Sequence, residues 1–194
     1  MIKLAIFASG TGSNSDKLIK YFNSSASGIV VAAVVSNNPN AKVLEKAANA
    51  GVKTAVFSNE VFLTGTEVIR YLKSEKIEWI VLAGFLRRIP EEMIREFPDR
   101  IINIHPSLLP KYGGKGMYGS RVHEAVVEAG EMESGISIHL VNENYDEGRL
   151  LFQKSFTIES TDSAIDVAKK VQQLEHQYFP KVVEDTIKMI GNEN

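Results

Sequence analysis

Cysteine is absent from the 194 residues, which excludes disulfides, thiolate metal sites and a cysteine nucleophile. A chain without thiols suits a reducing compartment. Long apolar runs are missing as well. The run before Ser9-Gly10 is about five residues long, short of the ~7–15 of a signal peptide and the ~20 of a membrane span. A cytoplasmic protein with no membrane partner is the expectation. Neither charge sign dominates: 22 Lys and Arg stand against 24 Asp and Glu, a net charge of −2. No basic field therefore points to nucleic acid, and no block of like charge forms an interaction tail. Internal repeats, low-complexity stretches and interdomain linkers are absent too. One domain over residues 1–190 is expected, followed by a short tail over 191–194.

What is present is a rhythm. Residues 4–8, 29–35, 79–83 and 101–104 are short, apolar and rich in β-branched side chains, as strands buried on both faces should be. Helical patterns lie between them at 15–21, 42–50, 67–73 and 91–97. The last begins just after Pro90, a residue favoured at the start of a helix. This alternation predicts an α/β fold: a Rossmann-like, mostly parallel sheet with helices on both faces. The pattern changes after residue 104. Gly113 to Gly119 holds four glycines in seven residues and reads as a loop, and a helix follows over 120–128. Two alternating strands at 134–141 and 150–158 form an antiparallel C-terminal pair. A long helix then runs from Thr161 with Val167, Val171, Leu174 and Tyr178 as its apolar stripe. Pro180 should bend or interrupt it.

Ser9-Gly10-Thr11-Gly12-Ser13-Asn14 joins the first strand to the first helix. Glycines there allow a sharp turn and leave N–H groups free at a helix N-terminus, which attracts an anion. A dinucleotide fingerprint would need a third glycine where Ser15 stands, and an acidic residue after the second strand where Ser36-Asn37-Asn38 stands. A single phosphate fits better, and a strand-to-helix turn that binds nothing fits equally.

Ile101-Ile102-Asn103-Ile104-His105-Pro106 carries the most chemistry. Strand side chains alternate, so Asn103 and His105 share one face, about 7 Å apart at their Cα atoms. Pro106 ends the strand and leaves both polar groups at its carboxyl end, where open α/β sheets bind ligands. A histidine here can also serve only as a strand cap. Asp146, in Asn144-Tyr145-Asp146-Glu147-Gly148, lies between the two late strands. A carboxylate can fix an imidazole's tautomer and raise its pKa, or be an ordinary turn residue.

Asn103-Ile104-His105-Pro106-Ser107-Leu108-Leu109-Pro110 resembles the signature of the folate-dependent formyltransferases, and Asp146 falls where that family carries an aspartate. The likeness spans nearly the whole chain. It takes in the loop of residues 9–14, Leu82-Ala83-Gly84-Phe85-Leu86-Arg87, and Val171-Gln172-Gln173-Leu174-Glu175-His176. Within the family it is strongest to members that formylate glycinamide ribonucleotide in purine synthesis. The resemblance implies 10-formyltetrahydrofolate as co-substrate and glycinamide ribonucleotide as acceptor, with no metal. It implies Asn103 as an oxyanion donor, His105 as a protonated partner to that oxygen, and Asp146 as the group that orients His105. Gly12, Ser13 and Asn14 would hold the acceptor's phosphate and Glu175 its amine-bearing end. Leu86, Arg87, Ile89 and Asn103 would line the folate site, with Arg100 either facing the folate's glutamate carboxylate or standing as a surface charge. The assembly would be a monomer or a homodimer.

Two features depart from the family pattern. The glycine loop at 113–119 is about two residues longer than the usual Pro-Gly turn, and Arg88 and Arg149 stand where apolar residues or proline are usual. Two other activities remain open on the sequence. A formyltetrahydrofolate hydrolase would use the same three residues with water as acceptor. Relatives of that kind carry an extra N-terminal domain, whereas this chain reaches its first strand at Ile2. A nucleotide-binding domain without catalysis is the other.

Overall fold

The computed structural model describes residues 1–191. Seven strands form one sheet in the order β3-β2-β1-β4-β5-β6-β7. The five parallel strands are β1 (Ile2–Phe7), β2 (Ile29–Ser36), β3 (Lys53–Val56), β4 (Trp79–Leu82) and β5 (Ile101–His105). β6 (Glu133–Leu140) and β7 (Leu150–Thr157) complete the sheet as the expected antiparallel pair. Chain order reverses between β1 and β4, which creates the crevice in which doubly wound sheets bind ligands.

Alternation along the strands divides the core in two. Leu4, Ile6, Ile102, Ile104, Ile136 and Ile138 face α1 (Ser13–Ser24), α2 (Lys42–Asn49), α6 (Ser120–Glu128) and α7 (Ala164–Gly191). Ala5, Phe7, Ile80, Leu82 and Ile101 face α3 (Asn59–Thr64), α4 (Thr66–Ser74) and α5 (Glu91–Glu96). Apolar side chains on both faces account for the near-continuous hydrophobic runs of the parallel strands.

Four points depart from the sequence pattern. The sequence pattern passes over β3 and α3. β3 is an edge strand whose residues, Lys-Thr-Ala-Val, are mostly exposed and lack an apolar run. α3 and α4 are separated only by Gly65, whose φ of 76° closes the first helix and opens the second. Pro180 does not interrupt α7, which continues to Gly191. Its cost of ~3 kcal/mol is set against burial of Phe179, Val183, Ile187 and Ile190 in the core. Gly191 thus belongs to a helix, and the rest of the expected tail lies outside the described residues.

Candidate active site

A cleft of about 820 Å³ opens at the carboxyl ends of β1, β4 and β5. Asn103, His105, Asp146, Glu175 and the loop of residues 10–14 all line it. So do Leu86, Arg87 and Ile89. Arg100 does not. It stands at the amino end of β5, five strand steps or about 16 Å along the chain from His105. The expected contact with a folate carboxylate is therefore withdrawn, because β5 places Arg100 at the opposite end of the strands from His105.

Asn103 and His105 lie on the face of β5 away from Ile102 and Ile104, as alternation requires. The antiparallel register then adds partners that no local pattern shows. Asn103 pairs with His139, and His105 pairs with Ser137. Cross-strand pairs on one face are close enough to bond, and here one does: Asn103 Nδ2 lies 3.1 Å from His139 Nε2. His139 Nδ1–H donates to the Leu140 carbonyl at 2.8 Å. Neutral His139 therefore carries its proton on Nδ1, and Nε2 accepts from the Asn103 amide. Ser137 braces the chain beyond β5, since its hydroxyl donates to the Ser107 carbonyl and accepts from the Leu109 N–H.

Asp146 reaches this cluster from the connection between β6 and β7. Its φ of 57° is left-handed, a conformation that aspartate tolerates better than most residues. One carboxylate oxygen lies 3.6 Å from His105 Nδ1 and accepts from the Gly114 N–H at 2.8 Å. The other lies 3.6 Å from His139 Nε2. One carboxylate is thus flanked by two buried imidazoles and held by the glycine-rich loop. Burial alone would raise the Asp146 carboxyl's pKa. Contact with His139 and the charge of His105, both supplied by the protonated imidazoles, together with the Gly114 N–H outweigh that and hold it below the usual value.

His105 is subject to opposing influences. Burial pushes its pKa down, and this outweighs the upward pull of Asp146 and of the bond to Tyr112. Asp146 thus acts in the expected direction, while burial makes the net shift downward. The His105 Nε2–H donates to the Tyr112 carbonyl at 2.7 Å. To donate to a substrate oxygen, the imidazole must exchange that bond for the new one.

The first turn of α1 forms the other end of the cleft. Gly12 precedes it with φ 70°, and an added Cβ would collide with Val43. The loop therefore requires glycine for both its conformation and its close approach to α2. The first-turn N–H groups lack intrahelical acceptors, as at any helix start. Asn14 Nδ2 donates to Glu175 Oε2 at 2.8 Å, while Asn14 Oδ1 is buried without a protein partner. Desolvation raises the Glu175 carboxyl's pKa, and the Asn14 bond opposes the rise. Ser9, just before this loop, ties the end of β1 to the loop after β4. Its N–H donates to the Gly84 carbonyl, and its hydroxyl accepts from the Leu86 N–H at 2.9 Å.

The sequence reading missed His139 and His123. His123, on α6, is buried, lines the cleft and has no partner for Nδ1. A polar residue on the apolar alternation of β6 was the available signal for His139; no comparable signal marks His123. Of the two departing arginines, Arg88 lines the cleft. Arg149 is exposed and offers its backbone carbonyl to Leu140. Among the described residues, no group of three or more His, Cys, Asp or Glu is arranged to hold a metal ion. Nor is any helix among them long and apolar enough to cross a membrane.

The formyl transferase family matches residues 2–183, nearly the whole chain. The chain belongs to the formyl transferase family. It is 39% identical over 186 residues to the chloroplastic phosphoribosylglycinamide formyltransferase of Arabidopsis thaliana, covering 93% of this chain and 64% of that protein. It is 37% identical to the trifunctional purine biosynthetic protein adenosine-3 of Drosophila melanogaster, over 93% of this chain but 14% of that one. The chain thus spans less than two thirds of these formyl transferase relatives. Among crystal structures, glycinamide ribonucleotide transformylase 1 from Geobacillus kaustophilus superposes with a TM-score of 0.87 at 33% identity. That match covers 95% of this chain and 97% of the other, so the formyl transferase architecture is shared throughout.

Proposed function

We propose that this formyl transferase moves the formyl group of 10-formyltetrahydrofolate to the amine of glycinamide ribonucleotide, a step of purine synthesis. The observation that carries the reading is the Asp146 carboxylate, shared by His105 and His139 beside Asn103 at the end of β5. The relatives' names supply the acceptor. The first-turn N–H groups at Ser13 and Asn14, with Gly12 admitting close approach, suit its phosphate. Glu175, bonded to Asn14, would meet the nucleotide on the side leading to its amine. Leu86, Arg87 and Ile89 would face the folate, and a cytoplasmic monomer or homodimer fits this chemistry.

The amine nitrogen attacks the formyl carbon and charge develops on the carbonyl oxygen. The Asn103 amide donates to that oxygen, and such a donor is typically worth about 2.7–4 kcal/mol in the barrier. His105 joins it by giving up the Tyr112 carbonyl, and Asp146 favours the protonated imidazole as charge builds. The C–N bond to the folate then breaks. One proton leaves the attacking amine and one reaches the folate nitrogen, so the reaction balances without a net proton change. Asp146, in contact with both imidazoles, is placed to relay that proton through water.

The test is an assay of purified protein with and without glycinamide ribonucleotide. Acceptor-dependent consumption of 10-formyltetrahydrofolate, with formylated ribonucleotide as product, is expected. Release of formate at the same rate without acceptor would assign hydrolysis instead.

A further inference from the structure

Arg88 departs from the family pattern, and the structure gives it a specific set of contacts. It stands in the loop after β4 and lines the cleft. Its guanidinium donates to the Glu143 carbonyl at 2.9 Å. The same group lies over the Tyr145 ring, 5.7 Å from its centre. Glu91, at 3.8 Å, completes its surroundings from the start of α5. Glu143 and Tyr145 belong to the connection whose next residue is Asp146.

The rest of that connection is braced from within or from the far side. Asn142 accepts from the Asn144 N–H and donates to the Glu147 carbonyl. Gly148 packs so closely on Leu140 that a Cβ would overlap its carbonyl. Gly114 holds the carboxylate itself. Arg88 supplies a brace from the folate side. A planar cation suits both tasks, since its edge donates while its face stacks.

We propose that Arg88 is a positioning residue for the Asp146 carboxylate, acting across the cleft through the Glu143 backbone and the Tyr145 ring. Its position also makes the folate-side loop and the catalytic turn one mechanical unit. The inference rests on the proposed role of Asp146 in formyl transfer.

The experiment compares Arg88→Met, Arg88→Lys, Tyr145→Leu and the Arg88→Met/Tyr145→Leu double variant in the acceptor-dependent assay. An exposed bond plus a stacked cation accounts for about a three- to tenfold fall in kcat on Arg88→Met, with KM for glycinamide ribonucleotide unchanged. The double variant should be little worse than either single change, because both break one brace. Lysine should restore only part of the rate, since an ammonium has no planar face.

An NMR titration of the His105 ring separates positioning from plain stabilisation. Asp146, His139, His123 and the Tyr112 carbonyl surround that ring, and Asp146 is the charge that opposes its burial. Loosening Asp146 should move the His105 titration to lower pH in Arg88→Met. Wild-type kcat with an unmoved titration would overturn the proposal, as would a lowered Tm with kcat intact. Asp146→Asn is the control for the underlying reading. Near-normal turnover in that variant would sink the role of Asp146 itself, whatever Arg88 does.

Discussion

The end of β5 and the turn between β6 and β7 bring together the proposed catalytic cluster by opposite means. Asn103 and His105 stand on a strand with neighbours on both sides, over a core of fully buried isoleucines. Asp146 stands on a mostly exposed turn, in a left-handed conformation, and reaches the cluster through a handful of side-chain and backbone contacts. The first arrangement is rigid because the sheet would have to slip for it to change. The second depends on local bonds worth about 0.5–1.5 kcal/mol each. A cleft that admits the two proposed substrates can open most readily on the side held more weakly.

The largest expected effect tests whether the rigid side carries the chemistry. His105→Ala should lower turnover by about 10²–10⁴-fold with the Tm little changed, read from steady-state kinetics and thermal melts. Near-normal turnover would remove His105 from the mechanism.

A matched pair of small substitutions sharpens the contrast. Gly148→Ala adds a Cβ where the turn meets the Leu140 carbonyl. Such overpacking costs about 1–3 kcal/mol, and by displacing Asp146 it should lower kcat about tenfold or more. Ile104→Val, on the core face of β5, should cost about 0.5–1.5 kcal/mol of stability while leaving kcat within about twofold. Equal kinetic damage from both would erase the difference between the two regions.

Acid titration should separate the regions again. Burial lowers the His105 pKa from its ordinary 6.5. Its neutral form is thus favoured by the fold, and its contribution to stability falls as pH drops below about 6.5 toward the lower folded value. Asp146 is depressed below its ordinary 3.8, so its stabilising contribution is complete above that value and lost only on further acidification. Thermal melts from pH 7.5 downward should therefore lose a His105-dependent component before the Asp146-dependent one. The opposite order in His105→Asn and Asp146→Asn variants would reverse the assignment.

The smallest effect is expected at Arg100. Removing its side chain should leave KM for 10-formyltetrahydrofolate within about twofold, because β5 directs it away from the cleft. A large rise in KM would restore the contact withdrawn above.

Most of the parallel sheet was legible because strands buried on both faces leave continuous apolar runs, as in Ile29–Ser36. β3 left none, being short, polar and at the edge. In the site, period-two alternation was enough to put Asn103 and His105 together, and glycine at position 12 marked the turn into α1. His139 stayed hidden because its relation to Asn103 is a matter of antiparallel register, 36 residues away in sequence. The two readings of Arg100 were separated in a related way: the resemblance offered a folate carboxylate as partner, while strand direction decided which end of the sheet the residue occupied.

The sequence by itself determined the α/β alternation, the strand end with its amide and imidazole, and membership of a formyl transferase pattern. Only the tertiary structure decided that Asp146 meets both His105 and His139, that the His105 proton is held by Tyr112, and that Arg88 reaches across to the Asp146 turn. The physical reason is range. Backbone periodicity orders neighbours a few residues apart, whereas sheet register and turn geometry bring together groups whose separation in the chain leaves no local trace.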